Sequence, residues 1–229
     1  MIIALDLCLQ RGSHQIIDGL NLHIERGDFV FVCGQAGSGK TSLLRIIALQ
    51  ETPAAGRLLV DGRDLSEIRK REIPQYRREI GVIFEDAPLL PKRTLAENIQ
   101  ISLELAGSRF IDAKKESLEY LKEIELLGKA TLYPRQVSEN EKQMVKICRA
   151  LARRPKIVLA DEPYEALDWH CIEKAAELFK MAHLRGSTIV VATHRVELAE
   201  RFGRRAIMLD KSSLGRLEKP VALWRTAAL

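Results

Sequence analysis

Residues 34–41 read Gly-Gln-Ala-Gly-Ser-Gly-Lys-Thr, a complete phosphate-binding loop of the form G-x-x-x-x-G-K-S/T. An apolar run, Phe29-Val30-Phe31-Val32-Cys33, leads into it, and a helical pattern at Leu43, Leu44, Ile46 and Ile47 leads out. A strand that ends in such a loop and turns into a helix aims successive backbone N–H groups at one point, which makes an anion site for a polyphosphate. Gly34, Gly37 and Gly39 let the backbone come close, with Gln35, Ala36, Ser38 and Ser42 completing the cradle. Lys40 is placed to reach the β- and γ-phosphates and Thr41 to hold Mg²⁺. The expected ligand is a nucleoside triphosphate.

Downstream, Ile157-Val158-Leu159-Ala160 runs into Asp161-Glu162, an apolar strand with two carboxylates at its end. Beside a phosphate loop, Asp161 is a Mg²⁺ ligand through water. Glu162 is then a general base for the attacking water. His194 closes the next apolar strand, Ile189-Val190-Val191-Ala192-Thr193, where its ring could donate to a γ-phosphate oxygen or orient the water.

The elements that must position these groups are short apolar runs: Phe29–Cys33, Ile80–Phe84, Ile157–Ala160, Thr188–Ala192 and Arg205–Leu209. Each is too short for a helix and rich in Val and Ile, as buried parallel strands are. Helical patterns alternate with them. After Asp168, apolar residues recur at Ile172, Ala175, Ala176, Phe179 and Ala182, and Gly186 supplies a stop. This order predicts an α/β fold with a mainly parallel sheet. Residues from about 94 to 154 are almost wholly helical in pattern, with Leu118, Leu121 and Ile124 on one face, and read as a helical insertion in that core. Boundaries follow: 1–87 and 156–229 for an α/β ATP-binding core, and 88–155 for a helical subdomain, all within one domain of 229 residues.

Composition narrows the class. The chain is 46% apolar and 29% charged, an ordinary soluble balance, with a net charge of +5. A mild basic excess suits anionic partners without choosing among them. Short basic clusters such as Arg69-Lys70-Arg71 and Arg77-Arg78 read as solvated faces, so direct nucleic-acid binding is not expected. The four cysteines, Cys8, Cys33, Cys148 and Cys171, lie far apart in apolar contexts and read as reduced core residues of a cytosolic protein. There is no basic n-region and no apolar run approaching 18 residues, so the chain is expected to be neither secreted nor membrane-spanning on its own. The stretch from Ser212, with Trp224, carries no readable role.

The order of loop, Asp-Glu and His resembles the ATP-binding-cassette ATPases, from about residue 2 to 215. Arg71-Glu72-Ile73-Pro74, Arg77 to Asp86, Leu89-Leu90-Pro91 and Arg93 to Asn98 are most similar to its cell-division branch, the FtsE subfamily. The lipoprotein-release exporters share much of this stretch. The resemblance implies a phosphate-loop (RecA-like) core, an N-terminal antiparallel β portion and an inserted α-helical signature subdomain. It implies a homodimer, ATP with Mg²⁺ held by Thr41, Glu85 and Asp161, and a place on the inner face of the membrane. It also implies an FtsX-like integral membrane partner received at Asp86–Leu90.

Several positions depart from the family pattern. The signature Leu-Ser-Gly-Gly-Glu/Gln stands here as Val137-Ser138-Glu139-Asn140-Glu141. Its Ser138 is the residue that would meet nucleotide in the partner subunit, and Glu139 adds a negative charge beside it. What survives is Ser138-x-x-Glu141, a capping box that starts a helix. The family's glutamine after the second strand is Glu85, which keeps an oxygen for Mg²⁺ but loses an amide donor, and by the resemblance it joins Glu162 and His194 as a catalytic candidate. The loop after Glu162 carries Glu165. Where an aromatic is expected to stack on adenine stand Gln10 and Arg11, and Arg11 is the stacking candidate. Groups that hold ATP within one chain are kept; those facing a second copy have gained carboxylates. The expectation is an ATPase with slow or partner-dependent turnover. The alternatives are an exporter ATPase and a regulatory nucleotide-binding module that no longer hydrolyses.

Overall fold

A computed structural model describes residues 1–209 and the backbone of the short strand Glu218–Lys219; the stretch from Ser212 with Trp224 otherwise lies outside the described residues. In chain order the strands are β1 (Ile2–Arg11), β2 (His14–Ile24), β3 (Phe29–Cys33), β4 (Ala55–Val60), β5 (Arg63–Asp64), β6 (Ile80–Ile83), β7 (Ile157–Asp161), β8 (Thr188–Thr193), β9 (Arg205–Met208) and β10 (Glu218–Lys219). The helices are α1 (Lys40–Ile47), α2 (Ile73–Arg78), α3 (Leu95–Leu105), α4 (Phe110–Glu123), α5 (Glu139–Leu151), α6 (Trp169–Leu184) and α7 (Val196–Arg201). Two compact units result, one from Met1–Pro74 with Thr188–Leu229 and the other from Gln75–Ser187.

In the first unit β3 is the central strand. Its five residues are all buried, because helices and sheet leave neither face to water. It pairs in parallel with β8 on one side and β9 on the other, Val30 opposite Val190 and Arg205 respectively. The antiparallel sheet β2-β1-β4-β5 completes this unit. In β1 the alternation of buried and exposed residues slips at Asp6, whose φ of 45° marks a bulge. That extra residue turns both Ala4 and Leu7 inward. Asp6 and Asn21 lock the bulge reciprocally, backbone N to Asn21 Oδ1 at 3.1 Å and Asn21 Nδ2 to Asp6 Oδ1 at 2.8 Å. Gly56 on β4 is required there, since a Cβ would lie 2.2 Å from the Asp6 carbonyl oxygen.

In the second unit β6 and β7 run parallel from Ile80 opposite Ile157. Helices α3, α4 and α5 pack on one another through Ile99, Leu103, Leu121, Val145 and Cys148, all buried. Of the expected helical face, Leu121 and Ile124 are buried and Leu118 half-buried. α6 follows Asp168 and stops before Gly186, whose φ of 96° ends it. Cys33 and Cys148 are core residues, whereas Cys8 and Cys171 are only half-buried; all four are free thiols. No helix among the described residues is long and apolar enough to cross a membrane.

Candidate functional site

Each unit carries its predicted residues to the carboxyl ends of parallel strands, where α/β sheets bind ligands. In the first unit Cys33 lies opposite Thr193, so Gly34 and His194 are the next residues out of two adjacent strands. The loop then turns into α1 through Gly39, with φ +92° and no side chain capping the helix. The first N–H groups of α1 are therefore offered to whatever the loop holds. A Cβ on Gly39 would meet Ile17 Cγ1 at 2.9 Å and the Ile16 carbonyl oxygen at 3.1 Å, and one on Gly34 would stand 2.4 Å from the Leu209 carbonyl oxygen. Glycine is thus a packing requirement at both ends of the loop.

Lys40 is buried, and its ammonium folds back to donate to the carbonyls of Gly34 at 2.8 Å and Gln35 at 3.0 Å. Ser38 is buried too, and its Oγ has no hydrogen-bond partner among the described residues. A buried cation, an orphaned hydroxyl and an uncapped helix start form the donor set of a polyphosphate site. Thr41 and Ser42 follow on the first turn of α1. His194 is exposed at the end of β8. Arg11 ends β1, and its guanidinium is ion-paired with Glu51 and 3.5 Å from Ser42 Oγ. That contact sets Arg11 beside α1, a placement invisible in the local sequence because Glu51 is 40 residues away.

In the second unit Ile83 lies opposite Ala160. The register therefore brings Phe84-Glu85 and Asp161-Glu162 out of adjacent strands side by side. Asp161 is buried and Glu162 half-buried. Glu162 takes φ 44°, a conformation non-glycine residues adopt at a cost of about 1 kcal/mol or more. Strain of this kind at a strand end aims a side chain.

Ser138 and Glu141 form the expected capping box at the start of α5. Ser138 Oγ accepts from Glu141 N at 3.2 Å, and the Glu141 carboxylate accepts from Ser138 N at 3.0 Å. Lys129 lies 2.5 Å from Glu141 and holds its carboxyl below the usual range. Glu139 points to solvent and pairs with Lys142 at 2.6 Å, which holds its carboxyl low as well. Burial pulls the Lys146 ammonium down first, and Glu139 and Glu85 oppose that shift. Glu139 and Glu85 thus both act on lysines of α5.

Sequence reasoning assigned no role to Arg149 or Asn98, yet both shape the segment Asp86–Leu90. Arg149 donates to the carbonyls of Pro88 at 3.0 Å and Ala87 at 3.2 Å. Asn98, fully buried, accepts from Leu90 N at 2.7 Å and donates to the carbonyls of Leu90, Arg93 and Thr94. The segment is less uniformly exposed than its apolar run suggests. Leu90 is open to solvent, but Leu89 is buried, because Asn98 and Arg149 draw the backbone inward.

The ABC transporter family model matches residues 17–165. The cell division ATP-binding protein FtsE of Bacillus subtilis is 37% identical over 202 residues, covering 88% of this chain and 89% of its own. FtsE of Escherichia coli K12 is 36% identical over 203 residues, covering 89% and 91%. The methionine import ATP-binding protein MetN of Caulobacter vibrioides is 36% identical over 87% of this chain and 60% of its own. Among solved structures, the dimeric ATP-binding cassette MJ0796 in a post-hydrolysis state with ADP and Pi superposes with a TM-score of 0.86. It is 34% identical and covers 96% of this chain and 99% of its own. With a phosphate loop on β3 and strand-end carboxylates on β7, the chain belongs to the ABC transporter family and is one of its ATP-binding-cassette ATPases.

Proposed function

We propose that the chain binds Mg·ATP on residues 34–42, hydrolyses it as a homodimer, and couples that cycle to an FtsX-like integral membrane partner in cell division. The observation that carries the reading is the buried Lys40 ammonium beside the orphaned Ser38 hydroxyl at the uncapped start of α1. When the triphosphate arrives, Lys40 exchanges two carbonyls for phosphate oxygens, and the N–H groups of residues 37–42 take the remaining charge.

Thr41, Glu85 and Asp161 would hold Mg²⁺, an all-oxygen donor set suited to a hard cation. When bound, the ion neutralises charge on the β- and γ-phosphate oxygens. Glu162 accepts the proton of the attacking water, and His194 donates to the γ-phosphate. Arg11 would stack on adenine, with Glu51 fixing its guanidinium. Ser138 of the second copy would meet the γ-phosphate, as the family resemblance implies. Glu139 next to it sets a negative charge toward the nucleotide, only partly offset by Lys142. Closure of the dimer is therefore weak and turnover slow until a partner favours the closed form.

Asp86–Leu90 supports the membrane reading. Its backbone is pinned by Arg149 and Asn98 while Leu90 remains exposed, a firm surface for a docking helix. Such a chain would work as a peripheral protein on the inner face of the cell membrane. Steady-state ATP hydrolysis by the purified chain, alone and reconstituted with an FtsX-like protein, tests the proposal beside a Glu162→Gln control. The expected result is low basal turnover, abolished by Glu162→Gln and raised at least tenfold by the partner. Bound ATP with no turnover in either setting would mark a nucleotide sensor. Stimulation by a substrate-carrying permease, as in methionine import or lipoprotein release, would replace the cell-division assignment.

A further inference from the structure

The junction of α3 and α4 exposes three large apolar side chains in one turn. Leu105 is 60% accessible, Phe110 65% and Ile111 79%. The turn between them is stiff. Gly107, with φ +99°, closes α3, Ser108 N donates to the Leu103 carbonyl at 3.1 Å and Gly107 N to Glu104 at 2.9 Å. These two bonds form the glycine-closed helix end that fixes the following residues in space. α4 then starts directly with Phe110 and Ile111, while its inward face is made by Ala113, Ser117, Tyr120 and Leu121. Packing thus gives no reason for an aromatic and a β-branched residue at the two outermost positions. Contiguous exposed apolar side chains on a soluble domain mark a contact.

Charge decides with what. Lys114 and Lys115 are exposed and follow Phe110 and Ile111 by four residues each, so each lysine lies on the same face, one turn inward from an apolar residue. Arg109 and Asp112 neutralise one another at 2.7 Å, and exposed Glu104 beside Leu105, bonded to the neutral Gln100 amide, offsets one lysine, so the tip keeps a positive excess carried by Lys114 and Lys115. Three side chains offer far less than the roughly 800 Å² per partner of a stable protein interface, and lysine is depleted from the core of such interfaces. An anionic bilayer takes the combination well. Apolar ends enter the acyl boundary, and the lysine stems carry their ammonium groups back to the headgroup phosphates.

We infer that the α3–α4 tip, Leu105 with Phe110 and Ile111 collared by Lys114 and Lys115, contacts the surface of an anionic lipid bilayer. The contact is separate from nucleotide binding and from any membrane-protein partner, so it is testable on the full chain alone. Co-sedimentation would be measured with phosphatidylglycerol vesicles and with phosphatidylcholine vesicles. Binding is expected to the first and to be weak on the second, and to fade as salt is raised. F110S/I111S is expected to lower partitioning at least tenfold with ATP hydrolysis and melting temperature unchanged. K114Q/K115Q is expected to lose about 25-fold, about fivefold for each lysine. Undiminished vesicle binding by F110S/I111S would overturn the inference, because the lipid contact would lie elsewhere. So would an absence of vesicle binding in the unaltered chain, or a change of oligomeric state in F110S/I111S, which would assign the patch to protein.

Discussion

Asn140 Nδ2 donates to Asp168 Oδ2 at 2.6 Å, tying the first turn of α5 to the start of α6. The other Asp168 oxygen accepts from Cys171 N at 2.9 Å and caps α6, so one carboxylate serves both helices. One turn further along α5, Gln143 Nε2 donates to the Pro163 carbonyl at 3.1 Å. The loop that follows Glu162 is thereby clasped at both ends by amides on one face of α5. Asn140→Asp would set two carboxylates together and is expected to lower the melting temperature. The swap N140D/D168N should regain most of that loss, since asparagine caps a helix as well as aspartate does. Thermal melts of the four proteins give the coupling; a double variant no better than Asn140→Asp would refute it.

Lys40→Ala should reduce ATP affinity by about 10- to 100-fold, the worth of one or two charge-assisted hydrogen bonds. The Gln35 carbonyl is at the exposed loop and can turn to water, and the Gly34 carbonyl can be reached by a water in the space the lysine stem leaves, so the fold should persist. Titration with a fluorescent ATP analogue, beside a circular dichroism spectrum, separates lost binding from lost structure.

Gly39→Ala is expected to lower the melting temperature by about 5 °C, because alanine at φ +92° is strained and its Cβ strikes Ile17. Gly12→Ala is the comparison. Gly12 also has positive φ, +59°, but open space around it, so its loss should be smaller. Equal losses would mean that the close approach of β2 to the loop contributes nothing.

On the proposed dimer, Glu139→Gln should raise ATP turnover about three- to tenfold by removing a negative charge beside Ser138, the gain limited by exposure to water. Lys142, released from Glu139, then favours phosphate further. Turnover at saturating ATP is the readout, and a rate unchanged or lowered would assign Glu139 a neutral or helpful part in closure.

Acid should unfold the second unit through its paired carboxylates. Glu141 is held low chiefly by Lys129, Glu125 by Lys174, and Asp168 by the Cys171 N–H. Each binds its proton more weakly folded than unfolded. Their stabilisation is therefore complete above the unfolded value, near 4, and is lost as pH falls through the lower folded values. Glu141→Gln keeps the capping box and loses the charge. It should melt about 1–3 °C below the parent at pH 7, and the gap should shrink steadily as pH falls below 4. A gap that does not shrink with falling pH would point to the cap rather than the ion pair.

Much of the architecture is written in contiguous residues. The five apolar runs become strands within a residue or two, since a mainly apolar run of four or five residues bounded by loops is too short for a helix. Ser138 and Glu141 form their capping box because its partners are three residues apart and need nothing else. The loop at 34–41 is legible locally as well, with Lys40 donating to the carbonyls of its own loop, although what crowds Gly34 and Gly39 comes from β2 and from Leu209.

What the sequence by itself determined is thus the set of parts and their chemistry: the phosphate loop, the strand-end carboxylates, the helix starts. Tertiary structure alone decided which distant groups meet. Glu51 reaches Arg11 from 40 residues away, Asp168 reaches Asn140 from 28, and Arg149 takes the carbonyls of Ala87 and Pro88 from about 60. It also decided that Leu89, in the loop before α3, is buried while Phe110 and Ile111, at the start of α4, are not, although all three are apolar. Periodicity reports which residues share a face. Whether that face is covered depends on elements brought up from elsewhere in the chain, and no local pattern carries that information.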